Sequence, residues 1–565
     1  MARFCVCAAP GAAHLTAMGV TPLAPGLGLV PGEPGHADGP FEADGRRAVG
    51  EVTLHNRAEL RAALDVPVPP GISDGELLLR CWTRLGARGV ALAEGMFALA
   101  VLDGDDVVLI RDHVGARTLF YARAAGTWAA ATSLRALRRW PALSTRVNLS
   151  AVRSFLTFAY LPGDETLLEG VREVLPGRVL RLAADGATTE TVYWEPAERI
   201  AGDGDPVLTL RRLLEEATAR RLPEAEAVAV LLSGGVDSSL VTALAAKLHS
   251  HPVHTYSISF GGELPNELGY SGLVAAHCHT RHRVLTVSGR AVAARLAETA
   301  ALLDSPVGDP LTVPNLLLAE AVAGDGHTVV LNGEGGDPVF GGPKNLPMLV
   351  QEMHARTPWP EDRATAYLRS YRKCWTDLPD LLTADTLAAL DDAPPPQRFV
   401  EPYLTGPDRM PHLLNQLLHC NLRTKGAHHI LTKVERLTAS QGLQGRAPLF
   451  DRRVVDHAFA VPPTLKLRGT AEKWVLKEAV RDLLPETVVD RPKSGMRVPV
   501  QQWLSGPLRD LGGDLLLGHA ARQRGLFRAD TLRTWLRGEG TLLPRQGGKL
   551  WLVLTLELWL RAYDL

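Results

Sequence analysis

The sequence predicts an α+β N-terminal part built on antiparallel sheet, then an α/β part around a parallel sheet, then a mostly helical C-terminal stretch. Three observations carry that expectation. Residues 1–195 alternate short apolar runs with Gly, Pro and Asp turns; after 207 continuous apolar strands alternate with helical segments; from about 345 helical periodicity predominates. Period-two runs joined by tight turns build antiparallel sheet. Unbroken apolar strands separated by helices belong to a parallel sheet covered on both faces.

Taken in order, MFALAVLDGDDVVLIRD (96–112) and TWAAATSL (127–134) read as strands, and RAELRAAL (57–64) and DGELLLRCWTRL (74–85) as short helices. EPAERIAGDGDPV (195–207) is polar, aperiodic and rich in Gly and Pro, so it reads as a linker. TLRRLLEEATARRL (209–222) is an amphipathic helix, and AVAVLL (227–232), VHTYSISF (253–260), RVLTV (283–287) and TVVLN (328–332) are the strands that follow. The apolar LWLVLTLELWLRAYDL (550–565) reads as a packed terminal helix. At 565 residues the chain exceeds the ~250–300 that one core holds, so two domains are expected, 1–195 and 207–565.

Hydrophobic residues make up 46% and charged residues 22%, with a net charge of −1. That balance is ordinary for a soluble globular protein and points to neither a nucleic-acid nor a membrane partner. No stretch reaches the ~18 uncharged apolar residues of a membrane span. Six scattered cysteines suit a reducing compartment. Arg3 is the sole early charge and Pro10 and Gly11 break the opening apolar run, unlike a signal peptide, so a cytoplasmic location is expected.

The sharpest local pattern is AVAVLLSGGVDSSLVTALAAKL (227–248). A buried strand ends at Leu232, a Ser-Gly-Gly turn follows, and an Ala-rich helix starts near Asp237. Gly234 and Gly235 let the backbone turn sharply and approach a ligand closely. Ser233 and Ser238 add hydroxyls, and the helix N-terminus adds its partial positive charge. Such a nest suits pyrophosphate, and Asp237, which would repel a bare phosphate, implies a bridging Mg²⁺. The Gly-Lys-Ser/Thr ending of a Walker loop is missing. SGGVDSS instead resembles the PP-loop of ATP pyrophosphatases, which cleave between the α- and β-phosphates.

A second strand-to-turn junction, VVLNGEGGDPVFGG (329–342), carries Gly333, Glu334 and Asp337. Ligands of parallel sheets sit at the carboxyl ends of the strands, so both turns should face one crevice, with Asp237 and Asp337 sharing the metal. A third segment, EKWVLKEAVRDLLPETVVDRPKSGMRVP (472–499), reads as a helix from Glu472 to Leu484 and then a loop holding Arg491, Pro492 and Lys493.

In order, SGGVDSS (233–239), TYSISF (255–260), LDSPVGDPLTVP (303–314), GEGGD (333–337), KVERLTASQGLQGRAPLFD (433–451) and RPKSG (491–495) resemble the synthetase domain of the asparagine-synthetase superfamily over about 210–510. That resemblance implies an ATP- and Mg²⁺-dependent, AMP- and pyrophosphate-forming amide ligase on a PP-loop α/β fold. It places Leu232, Ser233, Gly234, Gly235, Asp237, Ser238, Ser257 and Gly333 at the nucleotide, Asp237 and Asp337 at the metal, and Lys493 at the transition state. Tyr256, Ser257 and Ile258 would lie against the adenine and ribose. Glu334 is the candidate base for an incoming amine.

The N-terminal part resembles the same family's glutaminase domain, an Ntn-hydrolase-like sandwich, through GEVTLHNRAELRAAL (50–64), SDGE (73–76), GMFALAVLD (95–103) and RDHVGARTLFYA (111–122). Intact members use a cysteine directly after Met1; here Ala2 stands in its place. The Asn-Gly-Glu stretch that would bind glutamine reads Val49-Gly50-Glu51, and Asp74 alone still suits a glutamine amine. The resemblance therefore implies a degenerate glutaminase and an amine from elsewhere. On this reading Cys5 and Cys7 are strand residues, neither metal clip nor redox pair.

Family members with dead glutaminase domains include β-lactam and carbapenam synthetases and lasso-peptide cyclases. β-Lactam formers resemble one another in carrying Tyr at the position of Glu334, which argues against that reaction here. Ser305, Pro338 and Gln444 replace acids usual in asparagine synthetases, so aspartate is not the expected substrate. The expected partners are small-molecule or peptide carboxylates and amines, in specialised-metabolite or modified-peptide biosynthesis, with a homodimer left open. The alternatives are a synthetase using free or partner-supplied ammonia, an intramolecular cyclase and a non-catalytic scaffold. HCHTRH (277–282) as a metal cluster and His428–His429 as substrate contacts are weighed and set below packing roles.

Overall fold

The computed structural model describes residues 3–7, 12–31, 33, 35–65, 67–200, 204–261, 267–342, 348–349, 362–371, 373–493, 495–538 and 547–565. Ala2 lies outside these residues, as do residues 201–203 of the expected linker and Ser494. Two compact units emerge from the chain's internal contacts. One comprises Met1–Val147, Gly163–Pro196 and Ile430–Gln444; the other comprises Asn148–Pro162, Ala197–His429 and Gly445–Leu565.

The first unit holds two six-stranded sheets whose pairings are antiparallel, as the turn-punctuated apolar runs require. Arg3–Cys7 runs within one sheet between Thr127–Ala131 and Leu27–Val30; Gly95–Asp103 lies within the other between Arg46–Leu54 and Asp106–Arg111. Phe4 and Val6 share a core with Val49, Ala98, Ala100 and Leu109, so strand residues of both sheets pack face to face. A second core lies beneath the helices Arg57–Ala63 and Asp74–Leu85, where Leu60, Leu77 and Leu78 meet Leu99 and Val101. Cys5 and Cys7 are buried strand residues, as expected.

The second unit is built on a five-stranded sheet in the order Arg281–Thr286, Val253–Ser259, Val228–Leu231, Val329–Leu331, Gln444–Arg446. Its first four strands pair in parallel. Val228–Leu231 is central, which is why it reads as an unbroken apolar run. The helices Pro206–Ala219, Val236–Leu248, Leu268–His277, Gly289–Leu302 and Thr312–Gly324 alternate with these strands, and a series of short helices follows. The terminal helix Gly547–Ala562 buries Trp551, Leu552, Leu556 and Trp559 fully, and its buried Glu557 pairs with Arg524 and Arg561. Among the described residues no helix is long and apolar enough to cross a membrane.

One expectation fails locally and another gains a detail. Glu472 to Leu484 is not one helix: Glu472 closes a two-residue hairpin, Lys473 takes a left-handed conformation (φ 56°), and only Trp474–Ala479 is α-helical before a 3₁₀ turn. The segment holding His428 and His429 is helical, with a π-helical stretch, Leu422–Leu431, between the α-helices Leu413–Asn421 and Thr432–Ala439. Both departures place side chains that regular periodicity would turn elsewhere, and π-helical turns concentrate at functional sites.

Candidate active site

The site grows out of the carboxyl end of Val228–Leu231. The Leu232 N–H donates to the Tyr256 carbonyl at 2.9 Å, and the Ser257 hydroxyl donates to the Leu232 carbonyl. Gly234 then turns the chain at φ +84°, where a Cβ would lie 2.7 Å from Ser271 N, so no other residue fits without strain. Gly235 caps Val236–Leu248. The Ser238 hydroxyl accepts the Ser233 N–H at 3.1 Å and lies 3.0 Å from the Ser233 hydroxyl, tying the turn to the first helical turn.

The second turn is fitted against the first. The Asn332 amide oxygen accepts the Glu334 N–H at 3.0 Å, and the Asn332 N–H donates to the Arg446 carbonyl at 3.1 Å. A Cβ at Gly333 would lie 2.5 Å from Ser238 N, and one at Gly336 would lie 2.2 Å from Asp237 Oδ1. Gly335, at φ +112°, bends the chain over Leu449 and Phe450. These close approaches bring Asp237 and Asp337 to one place.

Between the two aspartates stands a residue that sequence periodicity did not single out. Lys473 is 1% exposed, and its Nζ lies 2.6 Å from Asp237 Oδ2 and 2.5 Å from Asp337 Oδ1. Lys493 Nζ lies 3.6 and 3.5 Å from the same two oxygens, and its N–H donates to Glu472 Oε1 at 2.7 Å. Burial alone would raise the Asp337 carboxyl, but the Lys473 and Lys493 ammoniums outweigh it and hold the group well below the usual carboxylate range. Burial opposes charge on Lys493, yet the Asp237, Asp337 and Glu334 carboxylates raise it above the ordinary lysine value.

The donor set suits a divalent cation shared with a polyphosphate. Asp237 Oδ1 is buried and accepts no hydrogen bond, and Asp337 lies on the other side of the same lysine. Among the described residues no group of three or more His, Cys, Asp or Glu side chains could enclose a metal. Magnesium is commonly held by one or two carboxylates together with substrate phosphates and water, which this pair matches.

A cleft adjoins the first turn, lined by Leu232, Ser233, Ser257, Ile258, Phe260, Glu267, Leu268, Ser271, Met496 and Arg497. Tyr256, the neighbour of Ser257, points its hydroxyl to Asp325 at 2.8 Å and is not part of that lining. The structure thus gathers Ser233, Gly234, Gly235, Asp237, Ser238, Gly333, Asp337 and Lys493, with Leu232 and Ser257 on the cleft wall. Glu334 is half-buried on the second turn, and its charge reaches Lys493.

The weaker motifs separate. His277 Nε2 lies 3.2 Å from the Leu483 carbonyl, His282 Nδ1 lies 2.9 Å from Thr255 Oγ1, and burial pushes the Cys278 thiol up to about 11. His428 is buried on the π-helical turn, while the His429 ring stacks on Tyr160 at 5.5 Å and lies 3.8 Å from Asp309.

In the first unit, the residues matched to glutamine binding are engaged with their own protein. Asp74 accepts the Leu54 N–H at 2.8 Å and pairs with Arg57. Glu51 meets Arg3 at 2.9 Å and accepts the Thr132 hydroxyl at 2.6 Å. Glu435 joins the same buried cluster, 2.8 Å from Arg3 and 3.3 Å from Arg117.

Comparison with known proteins matches both parts of the chain to described families. The asparagine synthase family model matches residues 209–561, and a glutamine amidotransferase domain model matches 36–194. The chain is 30% identical to a carboxyethyl-arginine β-lactam synthase of Streptomyces clavuligerus, covering 78% of this chain and 72% of that protein. It is 26% identical to glutamine-hydrolysing asparagine synthetase 3 of Bacillus subtilis, over 75% of this chain and 70% of that one. For asparagine synthetase 1 of the same organism the identity is 23%, over 90% and 84%. The chain belongs to the asparagine synthase family and is, with it, an ATP-dependent, AMP-forming carbon–nitrogen ligase.

Proposed function

We propose that the chain adenylates a carboxylate with Mg-ATP and joins the acyl-adenylate to an amine that its own N-terminal unit does not generate. The observation that carries this reading is the four-charge cluster of Asp237, Asp337, Lys473 and Lys493 at the carboxyl ends of the central strands.

In this reading adenosine lies in the cleft against Leu232, Ser257 and Ile258, and the triphosphate lies over the turn Ser233–Ser238. Mg²⁺ bound by Asp237 and Asp337 would neutralise phosphate charge. A carboxylate oxygen attacks the α-phosphorus, the bond to the β-phosphate oxygen breaks, and pyrophosphate leaves. Lys493 stabilises the charge that gathers on the transferred oxygens, and the buried Lys473 holds the two carboxylates together. The amine then attacks the acyl carbon, AMP departs, and Glu334 accepts the amine proton. Water exclusion favours the bound amine over hydrolysis.

The sequence around the first unit's missing thiol supports an outside amine. Ala2 stands where a nucleophile is needed, and Asp74 and Glu51 are committed to Arg57 and Arg3. Ser305, Pro338 and Gln444 favour a carboxylate other than aspartate, and the β-lactam synthase relative supports a specialised-metabolite setting. A second reading, free or partner-supplied ammonia as the amine, is favoured by Glu334, since ammonia-using members resemble this chain there.

ATP–pyrophosphate exchange across a panel of carboxylates, with wild type and Lys493→Ala, tests the assignment. Carboxylate-dependent exchange that collapses in the variant is expected. Exchange without any carboxylate, or equal exchange in the variant, overturns it. Glutamate released from glutamine by the purified chain would overturn the claim of an inactive glutaminase.

A further inference from the structure

Arg491 stands two residues before Lys493 and is held by three groups from two other elements. Its guanidinium pairs with Glu267, donates to the Gly234 carbonyl at 3.3 Å and lies 4.0 Å over the Tyr270 ring. Gly234 is the left-handed residue of the phosphate turn, and a Cβ there would also meet Tyr270 Cβ at 2.8 Å and the Glu267 carbonyl at 3.1 Å. The phosphate turn, the start of the helix Leu268–His277 and the Arg491 loop therefore converge on one planar cation. Two of the three contacts are acceptors at fixed positions, which suits a guanidinium fork and not a single ammonium.

We propose that Arg491 is a positioning residue: through Glu267 and Gly234 it fixes the loop to the phosphate turn so that the Lys493 ammonium sits beside Asp237 and Asp337. The Gly234 carbonyl is the contact that matters for chemistry, because it couples the lysine's place to the backbone that would cradle the phosphates. Met496 and Arg497, further along the same loop, line the cleft beside Leu232 and Ser233, so the same anchor sets part of its wall. The role in turnover rests on the ligase reading above; the placement of Lys493 does not.

Two measurements test it. In ATP–pyrophosphate exchange, Arg491→Ala and Glu267→Gln should each lower the maximal rate about tenfold or more, with Mg-ATP affinity changed only about threefold or less. The double variant should be no worse than Arg491→Ala, because the two residues act as one contact. Arg491→Lys should restore activity only in part. Additive losses in the double variant overturn the proposal. So does a raised half-saturating pyrophosphate concentration with the maximal rate intact, which would make Arg491 a direct phosphate ligand.

Independently of turnover, amine-selective acylation followed by peptide mass spectrometry reads the exposure of Lys493. Labelling should rise several-fold in Arg491→Ala and Glu267→Gln; unchanged labelling in both overturns the proposal. If Arg491→Ala fails to fold, the nearly isosteric Glu267→Gln carries both measurements. Absence of exchange in wild type overturns the ligase reading, while the labelling result still decides the place of Arg491.

Discussion

The Lys473 ammonium lies 2.6 Å from the Asp237 carboxylate, across 236 positions of chain. Asp337 meets the same nitrogen at 2.5 Å. Two carboxylates from two turns would repel each other in a partly desolvated place, and the buried cation turns that repulsion into a joint.

Replacing Lys473 with Met should therefore destabilise the ligand-free protein. Removing one partner of a buried ion pair costs about 3–5 kcal/mol, and the partly open Asp337 side chain puts this case near the lower figure. Urea unfolding with chelator and with Mg-ATP checks it. The deficit should be larger with chelator, because the nucleotide's metal can take over the carboxylates.

Gly234→Ala should lower both the melting temperature and nucleotide affinity. Left-handed backbone costs a residue with a Cβ about 1–2 kcal/mol, and the new atom would also meet Ser271 N at 2.7 Å. Gly235→Ala is the control, since a Cβ at that extended residue meets only Ser233 Oγ, at 3.6 Å. Differential scanning fluorimetry with and without Mg-ATP should show a clear loss for the first variant and a small one for the second.

Acid should undo the protein below pH 4.5. Burial alone would raise Glu435, but Arg3, Arg436 and Arg117 outweigh it and lower the group to about 2. Burial would likewise raise Asp451, which Arg221 and Arg453 lower to about 2. Groups depressed in the folded state contribute their stability above the unfolded value, and lose it as pH falls through the folded one. Thermal melts should hold between pH 7 and 5, then fall steeply from about 4.5 toward 2. A midpoint that stays level to pH 3 would contradict the ion clusters around both carboxylates.

At the alkaline side the slope keeps the same sign, for a different group. Lys466 is buried against Phe459, with its Nζ donating to Asn415 Oδ1 at 2.6 Å, and burial lowers it to about 7. The unfolded chain binds that proton up to about pH 10.4, so stability should rise between about 7 and 10 as the folded lysine becomes neutral. Lys466→Met should flatten this rise in denaturant midpoints measured across pH 7–9.5; an unchanged slope would mean that Lys466 stays charged when folded.

How much was legible in the sequence depended on how local each constraint was. SGGVDSS could be read directly, because a central strand, a left-handed glycine and a helix start all leave their mark on adjacent residues. The acids of GEGGD were legible for the same reason. Lys473 was not: it sits in a stretch that reads as helix, and the two carboxylates its side chain meets are distant in sequence. The π-helical turn at Leu422–Leu431 was equally hidden, since its residues have no composition of their own. Within the first unit, Glu435 of the segment Ile430–Gln444 meets Arg3 and Arg117, a pairing that no periodicity announces.

By itself the sequence determined the antiparallel and parallel halves, the Ser-Gly-Gly turn after the central strand, and the two aspartates and Lys493 that the fold brings together. These are properties of short stretches, dictated by side-chain alternation, glycine's freedom and the chemistry of single residues. Only the tertiary structure decided that Lys473 joins the aspartates, that Arg491 grips the phosphate turn and that Asp74 and Glu51 are already paired. Such facts depend on which distant charges meet where water is scarce, and burial makes an ion pair obligatory only after the fold has brought its partners together.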